Sequence, residues 1–395
     1  MSPRSTDIVT VVLIDSQPTG PVSVGVVGAG QLARMMGEAA HGAGVILTVL
    51  ATSLDDSAVA TADAAIIGPP DDVAALDELA ALVDVITFDH ELVELDQIEA
   101  LERRGAVVRP DVRALRFAVD KGHQRRVFDA AGIPVPRFIV VSSTSDPMLK
   151  GFLDSVGAPV LKTASRGYDG RGVLFPQSRD ETLAMIDELS TVSKVVVEER
   201  LALRGEAALV VVRGVNGEFA GYPLVSTVQS RAMCVEVRYP ADVDEAMALE
   251  ANRLGRKIAN LVGAVGVLAI EFFVCDRGLV VNEIALRPHN TGHWTIEGAR
   301  TSQFTNHLLA VSGRALGSTE PIVAAAVMVN VVGAEAPGSI ENARLVRGAH
   351  VHDYGKSWRP GRKLGHVTVV GDDAPTAHVT AWESARAYGT GTRET

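Results

Sequence analysis

Several kinds of residue and segment are scarce in this sequence, and each shortage excludes a class of protein. Only two cysteines, Cys234 and Cys275, occur among 395 residues, which excludes a disulfide framework and fits a reducing cytoplasm. No apolar run is long enough to cross a bilayer. Basic residues are outnumbered, and the formal net charge is −11. Repulsion by phosphates therefore argues against non-specific binding to nucleic acid.

The remaining composition is that of an ordinary globular chain. Hydrophobic residues make up 47% and charged residues 22%, and the length suffices for two or three domains. An N-terminal apolar stretch at residues 8–14 is short and is flanked by Asp7 and Asp15. Because it lacks a basic leader and a small-residue cleavage site, it does not resemble a signal peptide. We expect residues 1–20 to form a flexible extension.

Hydrophobic periodicity divides the rest of the chain into three parts. Residues 21–118 alternate strands with helices and end with a strand predicted at 106–108, which predicts an open, mostly parallel sheet. Residues 119–315 are richer in strands joined by tight turns, which predicts antiparallel hairpins in an α+β domain. A single long helix is predicted at 113–131, across this boundary. Residues 316–395 are expected to contain a basic loop at 354–366, then a strand and a weakly apolar tail.

A glycine-rich turn in the first part matches a dinucleotide-binding fingerprint. Residues 28–33 read GAGQLA, follow a predicted strand and open a predicted helix. Such glycines let backbone amides approach an anion at the positive end of a helix. However, the second strand ends at Leu50 and Ala51 without the acidic residue that binds a ribose hydroxyl. The pattern favours another anion, or a turn without a ligand, over NAD.

A second glycine-rich segment lies at residues 167–172, with the sequence GYDGRG. Three glycines within six residues predict a flap whose amides close over phosphate oxygens. Lys162, at the end of the preceding predicted strand, would add a positive charge for the same phosphates. Taken by itself, the segment would favour an ordinary Asp-Gly hairpin turn.

Two carboxylates flank a predicted hairpin whose turn is residues 276–278. With Arg277 at the centre of the turn, Glu271 and Glu283 are opposite each other, and their side chains lie about 5 Å apart. Carboxylates at that distance repel each other unless a cation lies between them. Their oxygens suit a magnesium ion that carries nucleotide phosphates. Apolar neighbours argue against an exposed surface pair.

Two polar loops follow the hairpin. Residues 287–294 read RPHNTGHW. A zinc site is disfavoured because Pro288 and Gly292 interrupt the helix that would have to carry the two histidines. A loop that binds a small oxyanion, or two structural histidines, is therefore the better interpretation. The basic loop suits one phosphate better than a polymer, although a solvated surface loop is also compatible. It contains five potential cations: Lys356, Arg359, Arg362, Lys363 and His366.

Together these motifs resemble the carboxyaminoimidazole ribonucleotide synthetases of bacteria and fungi, within the ATP-grasp superfamily. The resemblance runs from about Val24 to Val370 and is most specific at residues 167–172, 282–294 and 359–366. It implies an α/β and α+β architecture: a Rossmann-like N-terminal domain before the ATP-grasp domain, and a small, β-rich C-terminal domain. ATP would lie between two antiparallel sheets.

The resemblance also implies an ATP-dependent carbon–nitrogen ligase of purine biosynthesis. Bicarbonate would attack the γ-phosphate of ATP to give carboxyphosphate, and the exocyclic amine of 5-aminoimidazole ribonucleotide would capture the carboxyl group. Mg²⁺, with Mn²⁺ as a substitute, is the implied cofactor, and a cytoplasmic homodimer is the implied assembly. The alternatives are a formate-dependent glycinamide ribonucleotide transformylase, a biotin carboxylase, an NAD-dependent dehydrogenase and a non-catalytic nucleotide-binding protein.

The family's site residues correspond to positions in this sequence. Residues implied to bind ATP are Lys121, Lys162, Gly167, Tyr168, Asp169, Gly170, Arg171, Gly172, Glu198, Glu199, Arg200, Leu201, Glu206, Gln229, Asn282 and Glu283. Residues implied to bind the ribonucleotide are Gln31, Asp169, Arg171, Lys356, Arg362 and Lys363. Residues implied to act in catalysis are Asp169, Arg171, Arg287, His289 and Asn290. Glu271 and Glu283 would bind the metal. Two positions depart from the family pattern: Gln229, where a histidine is expected, and Lys121, where an arginine is frequent.

Overall fold

The structure, a computed structural model, describes residues 20–165, 172–230 and 233–391. It begins with a parallel sheet in the order β3-β2-β1-β4. The strands and helices of this front domain are β1 (Val22–Val27), α1 (Gln31–Ala40), β2 (Val45–Ala51), β3 (Ala64–Ile67), α2 (Val73–Leu82), β4 (Val85–Phe88) and α3 (Leu95–Arg103). The almost continuous apolar sequence of β1 fits a strand that is buried on both faces. A further strand predicted at 106–108 is reduced to one bridge between Val108 and Ile86.

The prediction of one long helix at 113–131 is wrong. Two helices occupy this segment, α4 (Val112–Val119) and α5 (Lys121–Ala130). They are separated by Asp120, which has an extended backbone and whose carboxylate accepts a hydrogen bond from the His123 N–H at 2.9 Å. An aspartate with this geometry caps a new helix. Hydrophobic periodicity did not reveal the break, because apolar residues continue on both sides of it.

A small antiparallel sheet follows in the order β5-β8-β6-β7. Its elements are β5 (Phe138–Val141), α6 (Pro147–Val156), β6 (Pro159–Thr163), β7 (Val173–Leu174), α7 (Arg179–Ser190) and β8 (Val195–Glu199). Leu153 of α6 and Ile186 of α7 pack on Leu161 and Val197 of the sheet. One face of the sheet is therefore covered by these two helices.

A larger antiparallel sheet continues from the middle of the chain into its C-terminal part, in the order β14-β13-β9-β11-β12-β15-β17-β16, with β10 on β9. The strands are β9 (Leu203–Arg213), β10 (Phe219–Gly221), β11 (Val225–Ser230), β12 (Met233–Tyr239), β13 (Gly266–Cys275), β14 (Gly278–Ala285), β15 (Ala325–Val332), β16 (Ala349–Asp353) and β17 (Lys363–Gly371). The helices are α8 (Glu245–Val262), α9 (Thr295–Gly298), α10 (Gln303–Val311), α11 (Ile340–Leu345) and α12 (Ala374–Tyr388).

Two predictions for the C-terminal part are corrected. The last strand starts at Lys363 rather than at 367, so Lys363 and His366 lie on β17 and not in the basic loop. The expected apolar tail is the helix α12, whose buried side chains include Trp382. Its small residues, such as Ala377 and Ala381, produce a weak apolar pattern, which explains why the helix was not predicted.

The front domain is joined to the large sheet through α10. Phe304, Leu308 and Val311 of this helix belong to the core of the front domain. Between them, His307 Nδ1 accepts a hydrogen bond from the Val267 N–H of β13, and its Nε2 lies 2.9 Å from the Thr87 hydroxyl of β4. Among the described residues, no helix combines the length and hydropathy needed to cross a membrane.

Candidate active site

A cavity of about 700 Å³ lies where the front domain, the β13–β14 hairpin and β17 meet. It lies beyond the carboxyl ends of β1 and β4, the edge at which open parallel sheets bind ligands. Nine of the side chains predicted from the sequence line it together: Gln31, Lys121, Gln229, Glu271, Glu283, Arg287, His289, Asn290 and Lys363.

The two glutamates of the hairpin are opposite each other, as predicted, but for a different reason. The turn pairs Cys275 with Gly278, a register that by itself would set Glu271 against Asn282. A β-bulge between Glu271 and Phe272 shifts the register by one residue, so that Glu271 pairs with Glu283. The extra residue, Asn282, lies beside Glu283 on the bulged strand.

The electrostatics of this pair fit a divalent cation site. Burial and the charge of Glu283 raise the pKa of Glu271. The Lys121 ammonium, 2.7 Å from Glu283 Oε2, lowers the pKa of Glu283. The Glu283 side chain is 44% exposed, so it is accessible from the cavity. No cluster of three or more metal-binding side chains occurs in the described part of the chain. Two hard carboxylates suit an ion whose other ligands are phosphates and waters.

Lys162 is held in a buried network of charges. Its Nζ lies 2.9 Å from Glu198 Oε2 and 3.0 Å from Asn282 Oδ1. Arg125 Nε lies 2.6 Å from the other oxygen of Glu198. Burial alone would raise the pKa of Glu198, but the two cations lower it to about 2. Arg125 was not predicted, because nothing local in the sequence shows that this helical residue meets a strand 73 residues later.

Residues 198–201, which the resemblance implies to bind ATP, link the two antiparallel sheets. Glu198 and Glu199 end β8, and Leu201 lies in the connection to β9. Glu199 forms ion pairs with Arg137 and Arg277 at 3.0 and 2.6 Å. The guanidinium of the next predicted residue, Arg200, lies 5.6 Å from the centre of the Phe175 ring. Glu206 lies on β9, where burial raises its pKa.

Most of the predicted phosphate flap lies outside the described residues: Gly167, Tyr168, Asp169, Gly170 and Arg171. Gly172, at its end, has φ +83°, and a β-carbon there would approach Thr163 Oγ1 to 2.6 Å. The glycine is therefore required by the backbone. Before the flap in the sequence, the Ala164 carbonyl accepts a hydrogen bond from the Lys121 N–H at 2.8 Å.

The polar loop at residues 287–294 is held in place by contacts with two other segments of the chain. Arg287 Nε donates to Glu91 Oε2 at 2.8 Å, and Glu91 belongs to the loop after β4. The Gln303 side-chain oxygen accepts a hydrogen bond from the His289 N–H at 2.9 Å, and its Nε2 donates one to the His289 carbonyl at 2.6 Å. His289 Nε2 lies 3.7 Å from Glu271 Oε1. Asn290 Oδ1 is buried and has no hydrogen-bond partner in the described structure. Neither Glu91 nor Gln303 was predicted.

The basic loop separates into residues with different surroundings. Lys356 Nζ donates to Gln31 Oε1 at 2.5 Å. Arg362 Nη1 donates to Ser357, at 3.1 Å to its carbonyl and 2.7 Å to its hydroxyl, whereas Lys363 faces the cavity. His366 is not a surface cation, because its ring is buried against two other histidine rings and burial lowers its pKa well below the usual value.

The dinucleotide-like turn is occupied by a side chain of the protein itself. Asp89 Oδ2 accepts a hydrogen bond from the Gly30 N–H at 2.6 Å, and Oδ1 accepts one from the Ala33 N–H at 2.9 Å. This carboxylate satisfies the positive end of α1, where a dinucleotide phosphate would bind. His90 also contacts the space beside Gly28. This geometry argues against the NAD-dependent dehydrogenase alternative.

Two antiparallel sheets, a carboxylate pair on a hairpin and lysines beside it define an ATP-grasp ligase. The N5-carboxyaminoimidazole ribonucleotide synthase of Mycobacterium tuberculosis is 43% identical over 361 residues, which cover 89% of this chain and 84% of that protein. The protein of the same name from Corynebacterium ammoniagenes is 39% identical, covering 90% and 89%. The chain therefore belongs to the N5-carboxyaminoimidazole ribonucleotide synthase family, and the resemblance predicted from its motifs is confirmed.

Domain families and solved structures agree with this assignment. Residues 22–119 match a ribonucleotide synthetase preATP-grasp domain, residues 126–304 an ATP-grasp domain, and residues 326–380 a phosphoribosylaminoimidazole carboxylase C-terminal domain. The N5-carboxyaminoimidazole ribonucleotide synthetase structure from Thermus thermophilus has a TM-score of 0.85 at 34% identity, covering 94% of this chain and 100% of that one. A synthase structure from Aspergillus clavatus, in complex with ADP and 5-aminoimidazole ribonucleotide, has a TM-score of 0.84 at 29% identity, covering 93% and 99%.

Proposed function

We propose that this chain carboxylates the exocyclic amine of 5-aminoimidazole ribonucleotide with ATP and bicarbonate. The products are N5-carboxyaminoimidazole ribonucleotide, ADP and phosphate. The observation that carries the proposal is one cavity lined by a carboxylate pair, two lysines, the Arg287 loop and Gln31. The relatives' names and the Aspergillus clavatus complex with ADP and the ribonucleotide support the same substrates.

For the nucleotide, we propose that Glu271 and Glu283 hold Mg²⁺, or Mn²⁺ in its place. When bound, the ion would neutralise negative charge on the transferred phosphoryl group. Lys121, Lys162 and the flap residues 167–172 would bind the phosphates. Residues 198–201, with Glu206 and Gln229, would lie along the rest of the nucleotide. The buried contacts of Lys162 with Glu198 and Asn282 support this role, because they orient its ammonium beside the hairpin.

In the first step, an oxygen of bicarbonate attacks the γ-phosphorus of ATP, and the bond to the bridging oxygen breaks to release ADP. Arg287, His289 and Asn290 would bind and orient the bicarbonate. Glu91 would hold Arg287 in position through its 2.8 Å contact. No side chain forms a covalent bond, so catalysis comes from positioning and charge neutralisation.

In the second step, the amine nitrogen bonds to the carboxyl carbon, directly in carboxyphosphate or after release of carbon dioxide. The carbon–oxygen bond to phosphate breaks, and the amine loses a proton, which the departing phosphate can accept. The buried Asn290 Oδ1, which has no partner among the described residues, would accept a hydrogen bond from the amine. The ribonucleotide would be held by Gln31, Asp169, Arg171, Lys356, Arg362 and Lys363.

The test is a measurement of ADP formation in the presence of magnesium. We expect turnover that depends on both 5-aminoimidazole ribonucleotide and bicarbonate, and a carboxylated product detected by incorporation of labelled bicarbonate. Omission of either substrate should reduce ADP formation to the background rate. Equal stimulation by glycinamide ribonucleotide with formate would instead assign the chain to the transformylases.

Three further properties are part of the proposal. A homodimer is expected from the resemblance and is tested by light scattering after gel filtration. A cytoplasmic location is supported by two cysteines that are both free and buried, and cell fractionation tests it. Domain boundaries near residues 20, 118 and 315 are tested by limited proteolysis with mass spectrometry.

A further inference from the structure

The backbone of Lys121 is fixed, whereas its side chain extends into the cavity. The Lys121 N–H donates to the Ala164 carbonyl at 2.8 Å, and the preceding Asp120 caps the helix through the His123 N–H. Four methylene groups separate this anchored backbone from Nζ, which lies 2.7 Å from Glu283 Oε2. The ammonium can therefore change partners without movement of the helix.

The contact between Lys121 and Glu283 compensates a charge that the hairpin leaves exposed. Glu283 faces Glu271 across the bulged pair of strands, and its side chain is 44% exposed while that of Lys121 is 15% exposed. The neighbouring bulge residue, Asn282, contacts Lys162 instead. Lys162 is also bound by the buried Glu198, so the two lysines differ in how firmly they are held.

We propose that Lys121 is a resident counter-cation of the metal site, which occupies Glu283 until a divalent ion and a nucleotide arrive and then passes to the phosphate oxygens. This inference rests on the proposed function, because it assigns the metal to Glu271 and Glu283. It adds that one residue belongs in turn to the metal site and to the phosphate site.

A thermodynamic coupling follows from this exchange. Without nucleotide, the Lys121 ammonium competes with a divalent ion for Glu283 and repels it, so the ion binds weakly. Nucleotide phosphates offer the displaced ammonium a new partner, so each ligand strengthens the binding of the other. Phosphates that contact the ion directly would add to this coupling, but only the Lys121 contribution disappears when the lysine charge is removed.

The experiment compares Lys121→Met with Lys121→Arg, which keeps the charge, and with Lys150→Met, a control at an exposed lysine. Binding of Mn²⁺ is measured by electron paramagnetic resonance, with and without the β,γ-imido analogue of ATP. Without the analogue, we expect Lys121→Met to bind Mn²⁺ about three- to tenfold more tightly than the wild type. The two other variants should stay within about twofold of the wild type, a difference of about 0.4 kcal/mol.

With the analogue, the gain in Mn²⁺ affinity should be about three- to tenfold smaller in Lys121→Met than in the wild type, because the variant has no lysine charge to be displaced from Glu283. Unchanged or weaker Mn²⁺ binding by Lys121→Met, with the helical circular dichroism of the wild type, would overturn the proposal. A Lys121→Arg variant that binds Mn²⁺ as tightly as Lys121→Met would also overturn it, since charge would not be the cause.

A further variant separates this inference from the proposed function. Glu283→Gln should lose Mn²⁺ binding in both conditions. If it binds Mn²⁺ as tightly as the wild type, the metal lies elsewhere, and the metal assignment fails together with the exchange by Lys121. If Glu283→Gln loses Mn²⁺ while Lys121→Met shows no gain, the metal site stands and only the exchange is overturned.

Discussion

Gln31 Oε1 accepts a hydrogen bond from Lys356 Nζ at 2.5 Å, across 325 residues of chain. Gln31 opens α1 at the carboxyl edge of the front sheet. Lys356 lies in the loop before β17, and its ammonium is also 5.7 Å from the centre of the Tyr354 ring. The contact therefore joins the front domain to the C-terminal strands at the wall of the cavity.

The first prediction concerns the ribonucleotide. If Lys356 binds its phosphate, Lys356→Met should raise the KM for 5-aminoimidazole ribonucleotide far more than the KM for ATP. Loss of a charge-assisted contact corresponds to about 1.5–3 kcal/mol, or roughly one to two decades in affinity. Steady-state kinetics with each substrate varied gives both constants. Arg347→Ala, at an exposed cation of the same domain, is the control; equal KM values in the two variants would exclude Lys356 from substrate binding.

The second prediction concerns the carboxylate pair. Glu271 faces Glu283 in the strand register, so repulsion from Glu283 opposes the ionised form of Glu271 in the metal-free chain. Glu271→Gln keeps the size of the side chain and removes the repulsion. We expect an unchanged or higher melting temperature without metal, together with a loss of magnesium-dependent turnover. Differential scanning calorimetry and the ADP assay are the measurements. A variant that melts much earlier would give Glu271 a structural role, and normal turnover would exclude it from the metal site.

The third prediction concerns acid stability. Burial lowers the pKa of His307 from 6.5 to about 3 in the folded chain, where its Nδ1 accepts the Val267 N–H. Between about pH 3 and about pH 6.5, His307 binds a proton only in the unfolded chain. The contribution of neutral His307 to stability is therefore complete above about pH 6.5 and declines as the pH falls toward 3, by at most about 1.4 kcal/mol per pH unit.

Replacement of His307 should remove this dependence. We expect His307→Asn to be less stable at neutral pH but to lose stability less steeply on acidification, as measured by urea unfolding from about pH 7.5 to about pH 4.5. His350→Asn, at an exposed histidine, is the control and should keep the wild-type slope. An equal slope in the two variants would contradict the assignment.

The fourth prediction concerns the front glycine-rich turn. Asp89 satisfies two N–H groups at the start of α1, so Asp89→Ala should destabilise the chain by about 1–2 kcal/mol in urea unfolding. Asp72→Ala, which removes the exposed cap at the start of α2, is the matched control. Nicotinamide fluorescence should show no binding of NADH to the wild type. Saturable NADH binding would contradict the role given to Asp89.

The β13–β14 hairpin shows how much of the site could be predicted from the spacing of residues along the sequence. A symmetric count about Arg277 predicted the pair Glu271 and Glu283, and the pair is present. The count was correct because two deviations cancel: the turn is one residue tighter than assumed, and the bulge at Asn282 adds one residue back. A bulge depends on the packing of both neighbouring strands, so the spacing of residues cannot reveal it.

Partners of the predicted residues were not predictable in the same way. Arg125 meets Glu198 at a separation of 73 residues, and Glu91 meets Arg287 at 196. Each is one charged residue among many in the sequence, with no pattern that distinguishes it. Burial distinguishes them only in the folded chain, because a buried charge requires a partner whereas an exposed one does not.

The sequence by itself determined the alternation of strands and helices in the front domain, the hairpin and the family, because these follow from periodicity and motifs within short segments. Only the tertiary structure decided which charges meet, such as Lys356 with Gln31 and Lys121 with Glu283. The physical reason is that local periodicity sets which face of an element is buried, whereas the packing of whole sheets sets which distant side chains share a cavity.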